Sequence, residues 1–161
     1  IRRRWCRSSS TLRWCVMKNK SKLLLTVRGV QRGFGQEEVS EITTSADYFI
    51  KDGTHYLFYS EKTEEGRTLK NRLTITPDVV ELKKSGGGDS LLRFREGHSE
   101  PCVYHSPAGP MQMVSDTKRI HLHTKEEKLH LTLEYSFYMS GILVSEYHLT
   151  VEGKTLPEES E

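Results

Sequence analysis

The chain has 161 residues, of which 35% are hydrophobic and 29% charged, with a net charge of +2. This is enough for one domain with its own core, and no window approaches the roughly 18 apolar residues of a membrane-spanning helix. Residues 1–16 hold five arginines and no acid, which leaves 24 − 5 = 19 bases against 22 acids, or −3, for the rest; so mildly acidic a body lacks the basic footprint of a nucleic-acid binder.

The first methionine is Met17. The simplest reading takes residues 1–16 (IRRRWCRSSSTLRWCV) as a basic leader outside the native protein. A transit-like presequence is the second reading and a basic nucleic-acid arm the third. Cys6 and Cys15 fall in this leader without metal-ligand spacing, and Cys102 is alone in the body. One leftover thiol builds no disulfide framework, fits a cytoplasmic protein, and reads as a small buried apolar residue rather than a nucleophile.

Lys22–Gln31 (KLLLTVRGVQ) is the first expected strand, with Leu23, Leu25 and Val27 on one face. Gly33 and Gly35 bracket a turn that no helix follows, so it is not a phosphate loop. Glu38–Ile50 is a more polar strand, and Asp52-Gly53 a hairpin signal. Residues 54–62 are rich in Tyr, Phe and Thr, and Leu69, Leu73 and Ile75 recur with even spacing beyond a turn at 63–66. Pro77-Asp78 ends that strand, and Val80 and Leu82 mark the next. Gly86-Gly87-Gly88 lacks the Lys-Ser/Thr of a nucleotide loop and is flanked by strands, so it is read as a hairpin loop. Ser90–Glu96, Cys102–Ser106, Met111–Ser115, Lys118–Lys125, Lys128–Tyr138 and Leu143–Val151 follow, each separated by turn residues.

No stretch sustains a helical apolar period. Short strands with turn signals every 8–12 residues or so indicate an all-β sandwich or barrel. Because the connections are short, the strands form an antiparallel up-and-down meander. Such a meander removes its edges by closing on itself, which gives a β-barrel of about 8–10 strands. The barrel domain is expected over 17–152 and an acidic disordered tail over 153–161.

One register stays open. A four-residue loop after Lys62 places Tyr56, Phe58 and Ser60 opposite Leu73, Asn71 and Leu69. A three-residue loop ending on Gly66 as the bulge residue instead places Leu57, Tyr59 and Glu61 there. The second is preferred because a glycine at that position is the usual bulge residue. It turns Glu61 inward, within plausible reach of Lys84, which shares a face with Val80 and Leu82.

The pattern resembles the YwiB-like family of uncharacterised bacterial β-barrels, placed with the calycins (lipocalin-like barrels). The residues that carry the resemblance are Asp52-Gly53, Tyr56, Tyr59-Ser60-Glu61, Gly66 with Thr68, Leu73 and Ile75, Phe94 with Gly97, Tyr104-His105-Ser106-Pro107-Ala108-Gly109, Leu131-Leu133-Tyr135, and Leu149-Val151. Ser106 stands where the family tends to have Thr, and Lys84 where an Arg is expected, which weakens a bidentate role there. The resemblance spans Lys22 to Val151 and implies a calycin-type cytoplasmic barrel, but it brings no known activity.

The chemistry-bearing residues give no catalytic assignment. There is no Ser/His/Asp order, no paired glycosidase-like carboxylates and no metalloprotease motif. His121, His123 and His130 share a strand face, with His123 opposite His130 if Glu126-Glu127 is a two-residue turn. The opposite face is apolar (Ile120, Leu122, Leu129, Leu131, Leu133), so the histidines belong to a solvated outer face and no metal is assigned. No cofactor is expected. Tyr59, Tyr104, Tyr135 and Tyr147 fall on faces that can point inward. With Phe94, Glu61 and Lys84 they form the candidate lining for a small apolar or amphipathic ligand. The leading reading is a noncatalytic, cytoplasmic, ligand-binding barrel that engages neither nucleic acid through its core nor a membrane. The alternatives are a filled barrel acting as a protein-interaction scaffold and an enzyme using a lumen acid.

Overall fold

The computed structural model describes residues 21–86, 89–106, 108–125 and 128–156, without the side chains of Tyr104 and Ser106. The basic leader, Gly87-Gly88, Pro107, Glu126-Glu127 and the tail from Pro157 lie outside the described residues.

The described residues form ten strands and no helix: Ser21–Gly33 (β1), Gln36–Lys51 (β2), Thr54–Lys62 (β3), Thr68–Ile75 (β4), Val79–Ser85 (β5), Ser90–Arg95 (β6), Ser99–Ser106 (β7), Gly109–Lys125 (β8), Lys128–Met139 (β9) and Ile142–Thr155 (β10). They make one antiparallel sheet in the order β6-β5-β4-β3-β2-β1-β10-β9-β8-β7. This is the expected meander, curled so that its last strand pairs with its first. The result is a nearly closed barrel whose seam runs between β6 and β7.

Sequence chemistry sets the turns. Phe34-Gly35, Asp52-Gly53 and Ser140-Gly141 each take positive φ at both residues, between the paired residues Gly33/Gln36, Lys51/Thr54 and Met139/Ile142. Two residues of that hand match the twist of the flanking strands. The β3–β4 loop is longer. The Thr63 N–H donates to Arg67 O at 2.9 Å and the Gly66 N–H to Thr63 O at 3.0 Å, while Gly66 takes φ +88°. This is the three-residue loop with a glycine bulge, and it pairs Leu57 with Leu73, Tyr59 with Asn71 and Glu61 with Leu69. Tyr59 and Glu61 therefore face inward, and the four-residue alternative does not occur.

Two expected boundaries move. Met111–Ser115 and Lys118–Lys125 are parts of one strand, β8, with a register shift between Thr117 and Arg119. Met113, Ser115 and Thr117 point inward before the shift, and Ile120 and Leu122 turn inward after it. The last strand runs to Thr155, past the boundary expected at 152, and the Leu156 N–H donates to Lys22 O at 2.9 Å.

The seam is fastened at one end by the turn after β6. The Gly97 N–H donates to Thr117 O at 2.8 Å, and the Thr117 N–H to His98 O at 3.1 Å. The Ser115 hydroxyl reaches Arg93 O at 3.3 Å and Glu100 O at 3.4 Å, linking both sides of the seam. The buried Ser115 hydroxyl and the Thr117 backbone thus satisfy groups that the missing β6–β7 ladder leaves over.

The interior is filled unevenly. At the end that carries the 52–53 and 96–98 turns, Leu25, Leu57, Leu73, Ile75, Val80, Phe94, Leu131, Leu133 and Val151 are buried almost completely. Gly153 is closely packed there: a Cβ on it would lie 2.9 Å from Leu23 Cδ1, which would have to shift. The opposite end, which carries the 34–35, 63–67 and 140–141 turns, holds the site.

Candidate functional site

The lumen opens at this second end into a cavity of about 730 Å³. Its apolar wall is built from Val27 of β1, Ile42 of β2, Leu69 of β4, Leu82 of β5, Leu92 of β6 and Leu149 of β10. Tyr59, Tyr135, Phe137 and Tyr147 add aromatic surface, and Glu38, Ser40, Glu61, Lys84, Ser90 and His105 add polar groups. The β2–β3 ladder pairs only Asp47–Lys51 with Thr54–Phe58. The upper part of β2 therefore parts from β3, and Glu38, Val39 and Ser40 flank a lateral mouth.

Glu61 is the centre of the polar cluster. Its inward direction follows from the Gly66 loop, and its neighbours follow from the ladder that pairs Asn71 with both Tyr59 and Lys84. Lys84 Nζ donates to Glu61 Oε2 at 3.1 Å and Asn71 Nδ2 donates to the same oxygen at 3.0 Å. The Glu61 and Lys84 side chains keep 23% and 37% of their surface exposed. The pair is thus a wet one at the cavity wall rather than an ion pair buried in the core, and its Coulombic worth is correspondingly small. Both contacts fall on Oε2, and Oε1 has no partner among the described residues. Asn71 itself is buried, with Oδ1 unpartnered. Glu61 therefore fixes which way the amide points, since only the NH₂ end can face a carboxylate.

The phenols form a floor across the lumen. Tyr135 stacks on Tyr147 with centroids 5.0 Å apart and a 5° interplanar angle, and Phe137 meets both edge-on. Phe94 packs on Tyr135 from below at 4.4 Å. Burial holds the Tyr59 hydroxyl well above the ordinary phenol range, and the Glu61 charge pushes the same way. Burial, then the neighbouring Tyr147, Cys102 and Tyr59, does likewise for Tyr135. Both remain neutral donors and present uncharged π faces throughout the physiological range.

The structure therefore brings Tyr59, Glu61, Lys84, Tyr135 and Tyr147 together around one cavity, the first three from β3 and β5 and the last two from β9 and β10 across the lumen. Phe94 lies beneath the cavity and supports Tyr135 instead of lining the space. Tyr104 stands on β7 opposite Met111, and its side chain is outside the described ones. Sequence reasoning missed Gly29, Phe137, His105 and the Glu38–Ser40 edge. Gly29 and Phe137 were discoverable, since each continues an inward alternation, with Val27 in β1 and Tyr135 in β9. The Glu38–Ser40 edge gave no such signal, because a strand that splays away from its neighbour keeps no apolar period.

On the outside, His123 stands opposite His130, and His130 Nδ1 lies 3.6 Å from Glu152 Oε2. No group of three or more His, Cys, Asp or Glu among the described residues is arranged to hold a metal ion. No helix among them is long and apolar enough to cross a membrane.

Comparison with known proteins gives consistent matches. The model of the family described as Domain of unknown function (DUF1934) matches residues 25–151. The uncharacterized beta-barrel protein YwiB of Bacillus subtilis (strain 168) is 27% identical over 141 residues, covering 86% of this chain and 99% of that protein. The crystal structure of the ywiB protein from Bacillus subtilis matches with a TM-score of 0.76 at 24% identity, over 86% of this chain and 94% of that one. At that identity the structural likeness carries the fold alone.

Proposed function

The chain belongs to the DUF1934 family of domains of unknown function, and on that footing we propose that it is a noncatalytic cytoplasmic barrel that binds a small apolar or amphipathic molecule in its lumen, as calycin-type barrels can. The observation that carries this reading is the half-filled interior. One end is packed with aliphatic side chains, while the other keeps about 730 Å³ free, within the range of roughly 300–1,000 Å³ usual for ligand pockets. A barrel serving only as a scaffold gains nothing from such a space, because unfilled volume costs stability. The wall also has the make-up of a ligand site, mostly apolar with a few polar groups converging at one place. A catalytic reading has less support: Glu61 is engaged by Lys84 and Asn71, and among the described residues no nucleophile–base pair stands beside it. The free, buried Cys102 thiol is in keeping with a reducing compartment.

Native mass spectrometry of the protein purified from its own host tests the proposal. A small-molecule adduct that is lost on denaturation is the expected result. A bare protein mass, together with no uptake of octanol, octylamine or octanoate in titration calorimetry, overturns it.

A further inference from the structure

The cavity wall is not neutral toward the charge of a ligand. Among the described lining residues the acids are Glu38 and Glu61 and the lysine is Lys84, so the carboxylates outnumber the ammonium by one. Lys84 is already committed, with its ammonium 3.1 Å from Glu61 Oε2. A ligand anion would meet Lys84 on its remaining N–H groups, but only in exchange for a second negative charge held beside the Glu61 carboxylate. A cation needs no such exchange. Glu61 Oε1 is without a partner while Oε2 is anchored by Lys84 and Asn71, so an acceptor stands ready. Glu38 at the mouth offers the second negative charge that balances an added positive one. The Tyr135–Tyr147 stack and Tyr59 line the same cavity from opposite sides, and aromatic faces attract cations and repel anions.

We propose that the lumen is selective for amphipathic amines, with the ammonium held by Glu61 between aromatic rings and the apolar body laid along Leu82, Leu92 and Leu149. This deepens the ligand-binding reading and rests on it. The Glu61–Lys84 pair then works as a positioning device. Lys84 and Asn71 hold one carboxylate oxygen so that the other is presented to the ligand in a fixed direction, and Lys84 itself repels ligand cations that approach from its own side.

Octylamine, octanol and octanoate share one apolar body and differ in head-group charge, so titration calorimetry of the full chain with each of them at pH 7 separates the two claims. Octylamine is expected to bind most tightly, with an advantage over octanoate of about tenfold or more, the size of one charge-assisted contact. Glu61→Gln keeps the side-chain shape and should erase that advantage. Glu38→Gln, at an exposed mouth position where folding is not at stake, should reduce it. Equal binding of all three compounds, or a preference for octanoate, overturns the amine selectivity while leaving the lumen reading in place. An amine preference that survives both substitutions also overturns the assignment. Failure of all three compounds to bind overturns the lumen reading, and the selectivity with it.

Discussion

Glu61 shows how much one residue's role depends on a single glycine some distance along the chain. With a four-residue loop it would be a surface acid. With Gly66 at φ +88° it faces the lumen and becomes the acceptor for both Lys84 and Asn71. The consequences of removing it differ by atom. Glu61→Ala frees Lys84, which is exposed enough to find water, so the lost ion pair costs little. Asn71 cannot do the same: its Oδ1 is already unpartnered and its Nδ2 would lose its acceptor at a buried position. An unsatisfied buried donor costs about 1–3 kcal/mol, and urea denaturation should show Glu61→Ala less stable by that amount. Glu61→Gln retains an acceptor oxygen for Asn71 and should lose only a fraction of it. Equal losses for the two variants would mean that Asn71 is not what Glu61 holds. Phe94 is the opposite case. Its even spacing marks it as inward, but inwardness alone does not tell a ring that lines a cavity from one that supports the cavity's floor. That distinction depends on residues contributed by β9, far away in sequence.

At the level of elements, turns and the Gly66 bulge were legible and the β8 bulge was not. Asp52-Gly53, Ser140-Gly141 and the Gly66 loop announce themselves because only a few residue types accept positive φ. The β8 bulge hides for a physical reason. Its inward positions next to the shift are Ser115 and Thr117, buried hydroxyl residues of which the first serves the β6–β7 seam through its side chain and the second through its backbone. Polar side chains at inward positions look like the end of a strand, so one long strand reads as two. Phe34 is the turn residue that breaks the usual rule. It occupies the first position of a two-residue turn at φ +53°, where a bulky side chain is strained, and its ring is 91% exposed, so packing offers little in return. Phe34→Asn replaces it with a residue that tolerates this conformation. The expected gain is about 1 kcal/mol, read as a rise in the urea midpoint without a change in slope. An unchanged or lowered midpoint would show that contacts of the exposed ring compensate the strain.

At the scale of the whole molecule, composition told little, because a net charge cannot say which charges face a lumen. Alternation told more, since it assigned inner faces to several strands, and the short connections between them argued for closure into a barrel. It could not say whether side chains from opposite walls meet, which is the difference between a filled and a half-filled barrel. Two inward glycines mark that difference. A Cβ on Gly153, at the packed end, would press on Leu23. A Cβ on Gly29, on the cavity wall, would meet only Ser40 Oγ at 3.5 Å and Leu149 Cδ1 at 3.6 Å, which are ordinary contacts. Gly29 has no positive φ to preserve, and a glycine inside a strand is intrinsically unfavourable. Gly29→Trp should therefore place an indole in the open half of the lumen without disturbing the closed half. The melting temperature is expected to hold or rise, because a large apolar group enters unfilled space. The unsubstituted chain has two tryptophans, Trp5 and Trp14, both within residues 1–16. The difference spectrum of the variant therefore reports the new ring, and a blue-shifted emission would locate it out of water. Octylamine affinity should fall by about tenfold or more, since the ring occupies space the ligand needs. A variant with blue-shifted emission, an undiminished melting temperature and unchanged octylamine binding would mean that the ligand sits outside the barrel.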